Sequence, residues 1–223
     1  MSSSDAETAF STASPEAPGL RARKRQERNN LILDCATELF QDQGYAETRM
    51  EEIAARADIS APTLYRYFPT KPALLIALLW KARQDRVAIL EAFHNSAGSM
   101  AAVDAVTELL FINNRCGAPK KARRLWREMS AELLRSHDVA HDDFRMIKLE
   151  FERHIARLLE NLHRNGSILR AAPLAAMTGV LYAIAAENFH RLIANEFKTA
   201  AEEKQALRDQ ISLALQGWLP KLP

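Results

Sequence analysis

Residues 48–75 read TRMEEIAARADISAPTLYRYFPTKPALL, and this stretch decides the fold. Its first half predicts a short helix capped by Thr48, with Glu51 three residues later completing a capping box. Apolar residues recur at helical spacing behind that cap: Ile53, Ala54 and Ala57. Residues 58–60 interrupt the spacing, which predicts a tight turn with Ile59 filling the angle between two helices.

A second short helix follows the turn. Ser60 is its predicted cap, and Pro62 lies in the first turn, where a missing backbone N–H costs nothing. Leu64 and Phe68 are four residues apart and share the buried face. The outer face is small and polar: Ala61, Pro62, Thr63, Tyr65, Arg66 and Tyr67. This is a helix-turn-helix pattern, whose second helix enters a DNA major groove. An ordinary helical hairpin inside a bundle is the alternative.

The stretch resembles the DNA-binding domain of the TetR (TetR/AcrR) family of bacterial transcriptional regulators. The resemblance covers about Gln26 to Arg86. The residues that carry it are Leu39-Phe40, Gly44-Tyr45, Ile53-Ala54, Ala57, Ile59-Ser60, Thr63-Leu64-Tyr65, Tyr67-Phe68, Lys71 and Leu74-Leu75. One residue departs from the pattern: Asp58 stands where the family usually has Gly.

The resemblance implies a homodimer that binds a palindromic DNA operator and a C-terminal helical part that holds a small effector. It also implies DNA contacts by ten residues: Arg25, Thr48, Arg49, Ser60, Ala61, Pro62, Thr63, Tyr65, Tyr67 and Lys71. Thr48 and Arg49 are expected at backbone phosphate, and residues 60–63 at base edges, where Pro and the Thr methyl suit thymine methyls. Tyr65, Tyr67 and Lys71 are expected to hold phosphates.

Composition sets the class of the whole chain. The 223 residues carry a formal net charge of +2 and only seven Gly, within long Ala-, Leu-, Glu- and Arg-rich runs. That composition favours helix over sheet, and it requires any nucleic-acid surface to be a local patch. The two cysteines form no paired motif, which suits a reducing cytosol and a cytoplasmic protein.

We predict an all-α fold in three parts. Residues 1–20 are rich in Ser, Ala and Pro and are expected to be a disordered tail. Residues 21–86, called the head below, form the three-helix DNA-binding domain and the first part of the fourth helix, which leads out of it. Residues 87–223 form a helical bundle for effector binding and dimerisation. The basic cluster of residues 21–28 is interpreted as an arm that contacts DNA, with a solvated helix start as the alternative.

The expected effector is mostly apolar or aromatic, because large apolar residues recur on several helices of residues 87–223. The candidates for its pocket are Phe93, Phe111, Trp126, Met129, Phe144, Phe151, Met177 and Tyr182, with Glu187 and His190 as polar groups. A plain hydrophobic core is the alternative for each of them.

Residues 171–186 are uncharged on every side of one helix, which predicts burial on every side. The run is too short for a membrane span, and no membrane partner is expected. A second subunit would cover the outer face, at small residues on this helix and an apolar stripe on the last one: Gly179, Ala183, Ile211, Leu215 and Trp218. The alternative is that the last helix alone covers this helix within a monomer.

No phosphate loop, nucleophile motif or metal-ligand spacing is visible, so no enzyme activity, cofactor or metal is expected. The sequence therefore predicts a ligand-responsive transcriptional regulator, most often a repressor, released from a palindromic operator by its effector. The alternative is a helical ligand-binding or scaffold protein that has lost DNA binding.

Overall fold

The structure is a computed structural model that describes residues 19–115, 119–135 and 139–220, without the side chains of residues 132–144. Within those ranges the fold is all-α, as predicted, with nine α-helices and one 3-10 turn at Ala97–Ser99. The helices are α1 (Leu20–Asp42), α2 (Met50–Arg56), α3 (Ala61–Tyr67), α4 (Lys71–Ser96), α5 (Ala102–Asn114), α6 (Lys120–Arg135), α7 (Val139–Arg164), α8 (Leu174–Ile193) and α9 (Ala200–Leu215). The predicted tail and the side chain of Phe144 lie outside the described residues.

The first hydrophobic core joins α1, α2, α3 and the start of α4. Phe40, Ile53 and Leu64 are fully buried there, one from each of the first three helices. Ile59, which was expected to fill the angle between α2 and α3, is half-buried and packs against this core. Because each of these helices is short, burial of its apolar stripe stabilises it more than intrinsic propensity does.

The start of α2 differs from the sequence prediction by one residue. The helix begins at Met50 with Arg49 as its cap, and the Glu52 carboxylate accepts a hydrogen bond from the Arg49 N–H at 3.0 Å. That bond and the Gln43 amide lower the pKa of Glu52. The capping box of Thr48 with Glu51 was therefore wrong. Thr48 instead lies in the preceding loop, where its hydroxyl donates to the Gly44 carbonyl at 2.7 Å.

The turn between α2 and α3 requires a left-handed backbone. Asp58 has φ of +52°, and the N–H of Ile59 returns to the Ala54 carbonyl at 3.0 Å. Glycine adopts that conformation without steric cost, whereas an L residue with a short polar side chain adopts it at a cost of about 1 kcal/mol. The departure from the family pattern at Asp58 therefore leaves the shape of the turn unchanged.

Helix α4 is shared between two hydrophobic cores. Its first turns, with Leu74 and Leu78, belong to the core of the head. Its last turns, with Leu90 and Phe93, belong to a second core built with α5, α7, α8 and α9. A helix of this length spans roughly 39 Å, so it links the two cores through one continuous rod.

Helix α6 also packs into the core of the head, although it lies far along the chain. Leu125 and Met129 are buried among residues of α1 and α4. At the α1–α2 loop, the Arg124 guanidinium donates to the Gln43 carbonyl at 3.3 Å. Gly44 has φ of +102°, and a Cβ there would stand 2.2 Å from the Arg124 guanidinium, so glycine permits this close approach.

Helix α9 directs its apolar stripe inward, which corrects part of the predicted dimer surface. Ile211 and Leu215 are fully buried in the second core of their own chain, and Trp218 is half-buried against that core. In this conformation Ile211 and Leu215 are covered by their own chain and do not reach a second subunit. Within the described residues, no helix is both long enough and apolar enough to span a bilayer.

Candidate nucleic-acid interface and ligand cavity

Helix α3 presents the outer face that the sequence predicted. Pro62, Tyr65 and Arg66 are exposed, while Ala61 and Thr63 are half-buried at its start. Ser60 caps the helix by position, and its hydroxyl lies 2.8 Å from that of Thr63. These two hydroxyls are small and can each donate or accept, which suits contact with base edges or phosphate oxygens.

The two tyrosines of α3 have different surroundings. The Tyr65 hydroxyl donates to the Glu51 carboxylate at 3.0 Å, and this bond raises the pKa of Tyr65. Tyr67 is half-buried and lies between the core of the head and a groove on its surface. Both hydroxyls sit on rigid rings, so each can be placed against a phosphate with little loss of conformational freedom.

Lys71 is engaged within the protein, which differs from the expected phosphate contact. Its ammonium donates to the carbonyls of Tyr45, Ala46 and Thr48 at 2.7, 3.1 and 3.0 Å. An ammonium has three donors, and all three are used. It also stands 4.5 Å above the Tyr45 ring. In this conformation Lys71 therefore fastens the α1–α2 loop to the start of α4.

Thr48 is likewise a structural residue here. Its side chain is 1% exposed, and its hydroxyl is shared between the Gly44 carbonyl and the Gln43 amide. A phosphate contact from this hydroxyl does not fit the geometry. Arg49, the next residue, is exposed and keeps a guanidinium available at the start of α2.

The basic cluster is helical rather than an extended arm. Residues 20–28 form the first turns of α1, so the cluster is part of a helix, and its contact with DNA stays a prediction. The cluster nevertheless lines an open groove with α3, here called the basic groove. It is formed by Arg21, Lys24, Arg25, Arg28, Arg66 and Tyr67, with Glu27 and Leu31 at its edge. Such a concentration of guanidinium groups beside α3 attracts phosphate.

A partly open space of about 280 Å³ lies between α4, α5, α6, α7 and α8. Its aromatic wall places the rings of Trp126 and Phe189 edge to face, with centroids 5.3 Å apart. Phe151 and Tyr182 form a second pair with centroids 6.3 Å apart, and burial raises the pKa of Tyr182. We call this space the cavity.

Half of the predicted pocket residues line the cavity: Trp126, Met129, Phe151, Tyr182 and His190. The others do not. Phe93 and Met177 are buried in the second core, Phe111 packs against it, and Glu187 is exposed on α8. All of these residues share helical spacing and apolar character, so the sequence could not separate the wall of a cavity from a filled core.

Sequence reasoning missed the polar side of the cavity. Arg83 and Arg86 of α4, Asn113 and Asn114 of α5 and Lys148 of α7 all line it. Arg83 gave a usable signal, because it lies four residues after Leu79 on a face that is otherwise apolar. No local pattern could show that Arg83 of α4 lies near Lys148 of α7, since the two helices are far apart in the sequence.

The outer face of α8 is uncovered within one chain. Gly179 and Ala183 are exposed, and Val180 is 51% exposed. A Cβ built on Gly179 would meet no atom within 4 Å. The predicted small-residue surface is therefore present on α8, without the stripe expected from α9.

The fold and these sites define a class: an all-helical protein with a helix-turn-helix beside a basic groove and a cavity-bearing second core. Residues 32–78 match the family described as bacterial regulatory proteins, tetR family. These residues therefore contain the DNA-binding region typical of that family.

The most similar curated relatives include the HTH-type transcriptional regulator RutR of Escherichia coli K12. It is 34% identical over 113 residues, which is 51% of this chain and 53% of RutR. The match thus spans about half the length of that relative.

Solved structures share the fold over most of the chain. A TetR-family regulator from Mesorhizobium loti superposes with a TM-score of 0.69 at 17% identity, covering 87% of this chain and 98% of that one. FadR of Bacillus subtilis, solved with stearoyl-CoA, gives 0.65 at 17% identity and covers 84% and 98%.

Proposed function

We propose that this protein is a ligand-responsive transcriptional regulator that binds a palindromic DNA operator as a homodimer and is released by a small effector. The observation that carries the proposal is the pairing of α3 with the basic groove. The exposed face of α3 supplies side chains suited to base edges, and the groove beside it supplies positive charge for the DNA backbone. A repressor is the usual form of such a regulator, and its work lies in the bacterial cytoplasm.

The contacts follow from the exposure of each residue. Pro62 and Thr63 approach base edges in the major groove, Tyr65 and Arg49 approach phosphates, and Arg25 binds the backbone from the basic groove. Thr48 and Lys71 act indirectly by holding the α1–α2 loop in place. Residues 21–86 thus act as the DNA-binding domain and residues 87–223 as the effector and dimerisation domain, with α4 common to both.

The dimer is proposed to form through α8. Its outer face is small and apolar at Ala176, Gly179, Val180 and Ala183, which lets another helix approach closely. Two-fold symmetry would pair this face with itself and set the two heads about 34–36 Å apart, one turn of DNA.

The cavity is the proposed effector site, and α6 is the element that links it to the head. Trp126 and Met129 line the cavity from α6, while Met129 also lies in the core of the head. An effector that displaces these side chains biases the position of α6. The effector then shifts the equilibrium between two positions of the head, by as much as its binding free energy differs between them.

A gel shift with the DNA upstream of the gene tests this function. We expect Thr63→Ala and Tyr65→Ala to weaken specific binding by about 1–3 kcal/mol each while the melting temperature stays within a few degrees. Arg25→Ala should weaken binding to all sequences and lower the salt slope by about one unit. Arg164→Ala, at the far end of α7, is the control.

The alternative is a helical ligand-binding or scaffold protein that no longer binds DNA. Unchanged affinity in Thr63→Ala, Tyr65→Ala and Arg25→Ala alike would favour it, as would the absence of any operator in that upstream region.

A further inference from the structure

A buried guanidinium at the cavity is only partly satisfied. Arg83 is 6% exposed, with its Nε donating to Glu150 at 3.1 Å and its Nη1 donating to Asn113 at 3.2 Å. The guanidinium also lies over the ring of Phe151, with its central carbon 5.6 Å from the ring centroid. Its Nη2 is buried and has no hydrogen-bond partner within the described part of the chain.

That unmet donor carries a free-energy cost. Arginine stays protonated at all relevant pH values, and a buried charged donor without an acceptor is more costly than a neutral one. Since Arg83 lines the cavity, a ligand held there is the candidate source of the missing acceptor. A ligand that supplies this acceptor forms a charge-assisted hydrogen bond with Arg83, which is stronger than a hydrogen bond between neutral groups.

The charges around the cavity point to an anion. Arg83, Arg86 and Lys148 line it, and none of its described lining residues is acidic. Glu150 lies behind Arg83 and pairs with its Nε, and Glu152 lies 3.6 Å from the Lys148 ammonium. Among the described side chains, two carboxylates therefore lie near three cations, so this part of the cavity wall carries a net positive charge.

We propose that the effector is an organic monocarboxylate whose carboxylate accepts from Arg83 Nη2 and whose compact apolar or aromatic body lies against Trp126, Met129 and Phe189. The proposal rests on the role of the cavity as effector site. Nη2 carries two N–H groups without an acceptor, while Nε and Nη1 are already bonded, so one end of the guanidinium remains for a carboxylate. The volume of about 280 Å³ is at the small end of ligand pockets, which favours a compact ligand.

The test uses the full chain and three pairs of probes that differ only in charge: benzoate and benzamide, 3-phenylpropanoate and its amide, and 2-naphthoate and its amide. Calorimetry at pH 7 measures each dissociation constant. We expect at least one carboxylate to bind roughly 10- to 100-fold more tightly than its amide, the range of a hydrogen bond to a charged group. If no carboxylate binds below about 1 mM, or if each binds no better than its amide, the proposal is overturned.

Variants assign the effect to Arg83. Arg83→Gln should remove the preference for the carboxylate and leave the affinity of the amide within about threefold. Arg153→Gln, which removes an exposed arginine from α7, should retain the preference. A preference that survives in Arg83→Gln overturns the proposal. Should Arg83→Gln lose helical circular dichroism, the comparison of acid with amide in the unaltered protein decides alone.

The outcome is separable from the proposed function, because the binding of probes is measured without DNA. Operator binding without selective carboxylate binding would leave the regulator in place and refute the monocarboxylate. Selective carboxylate binding without operator binding would support the monocarboxylate and refute the function as a DNA-binding regulator.

Discussion

The Glu128 carboxylate of α6 accepts a hydrogen bond from the backbone N–H of Tyr45 at 2.5 Å, and this bond joins the wall of the cavity to the head. The second oxygen of the same carboxylate accepts from Arg124 at 2.9 Å. On the other side of α6, Arg127 donates to the Ile193 carbonyl at the end of α8. Helix α6 is thus held between the DNA-binding part and the helix of the proposed dimer surface.

Glu128→Ala should release the α1–α2 loop from α6. We expect a loss of about 1–3 kcal/mol in the free energy of unfolding, because the variant leaves the Tyr45 N–H without its charged acceptor. Hydrogen exchange should become faster at the Tyr45 amide. Glu160→Ala, an exposed position on α7, is the control. Equal protection of the Tyr45 amide in both variants would mean that the bond contributes nothing to the link.

Lys71→Met should destabilise the head. The variant keeps the aliphatic stem but leaves three carbonyls without the ammonium, and we expect a loss of about 2 kcal/mol in urea unfolding. Lys198→Met on the exposed loop before α9 is the matched control. Wild-type stability combined with a salt slope lowered by one unit would instead restore Lys71 as a phosphate contact.

Ala183→Glu should produce a folded monomer. The residue is exposed on α8, so a longer side chain meets no atoms of its own subunit, whereas two buried carboxylates would oppose each other across a symmetric interface. Light scattering coupled to gel filtration measures the mass, for which one chain is 25.1 kDa. Ala88→Glu, an exposed alanine on α4, should leave the dimer intact. An unaltered protein that runs as a monomer would refute the interface.

Stability should fall in mild acid because of a buried histidine pair. His94 and His154 stack with their centroids 5.3 Å apart, and His94 Nε2 lies 3.1 Å from His154 Nδ1. Burial first, and then the positive charge of Arg157, lower the pKa of His94 to about 4. Burial and Arg83 also lower the pKa of His154, while Glu91 and Glu150 oppose the shift.

The direction of the pH dependence follows from the lowered pKa values of the two histidines. Well above pH 6.5 both rings are neutral in folded and unfolded chains, and the full stability is present. As pH falls from 6.5 to 4, the unfolded chain takes up protons first, and we expect a loss of about 2–3 kcal/mol from His94. His94→Gln should flatten this part of a urea-unfolding profile against pH. A variant profile parallel to the wild-type one would exclude the pair as its cause.

Local patterns in the sequence were enough to predict the helices and the helix-turn-helix. Ile53, Leu64 and Phe68 recur at helical spacing, and each of them is buried as expected. The outer face of α3 followed from the same spacing, because a helix fixes which residues point away from its buried stripe. The small outer face of α8 around Gly179 was visible for the same reason.

The tertiary structure decided which polar groups are free. Thr48 and Lys71 sit on the predicted element, yet their hydrogen bonds go to backbone carbonyls of a loop whose path no local pattern specifies. The apolar stripe of α9 could face inward or outward, and packing against α5 and α8 turned Ile211 inward.

The sequence by itself therefore determined the secondary structure and the helix-turn-helix with its resemblance to the TetR family, since these depend on the spacing and identity of neighbouring residues. Only the tertiary structure placed Arg83 beside Trp126 and Phe189 at one cavity, and Glu128 beside Tyr45 at the head. These pairs come from helices separated by dozens of residues. Their meeting depends on how long helices pack against one another, which is a property of the whole core and not of any one stretch.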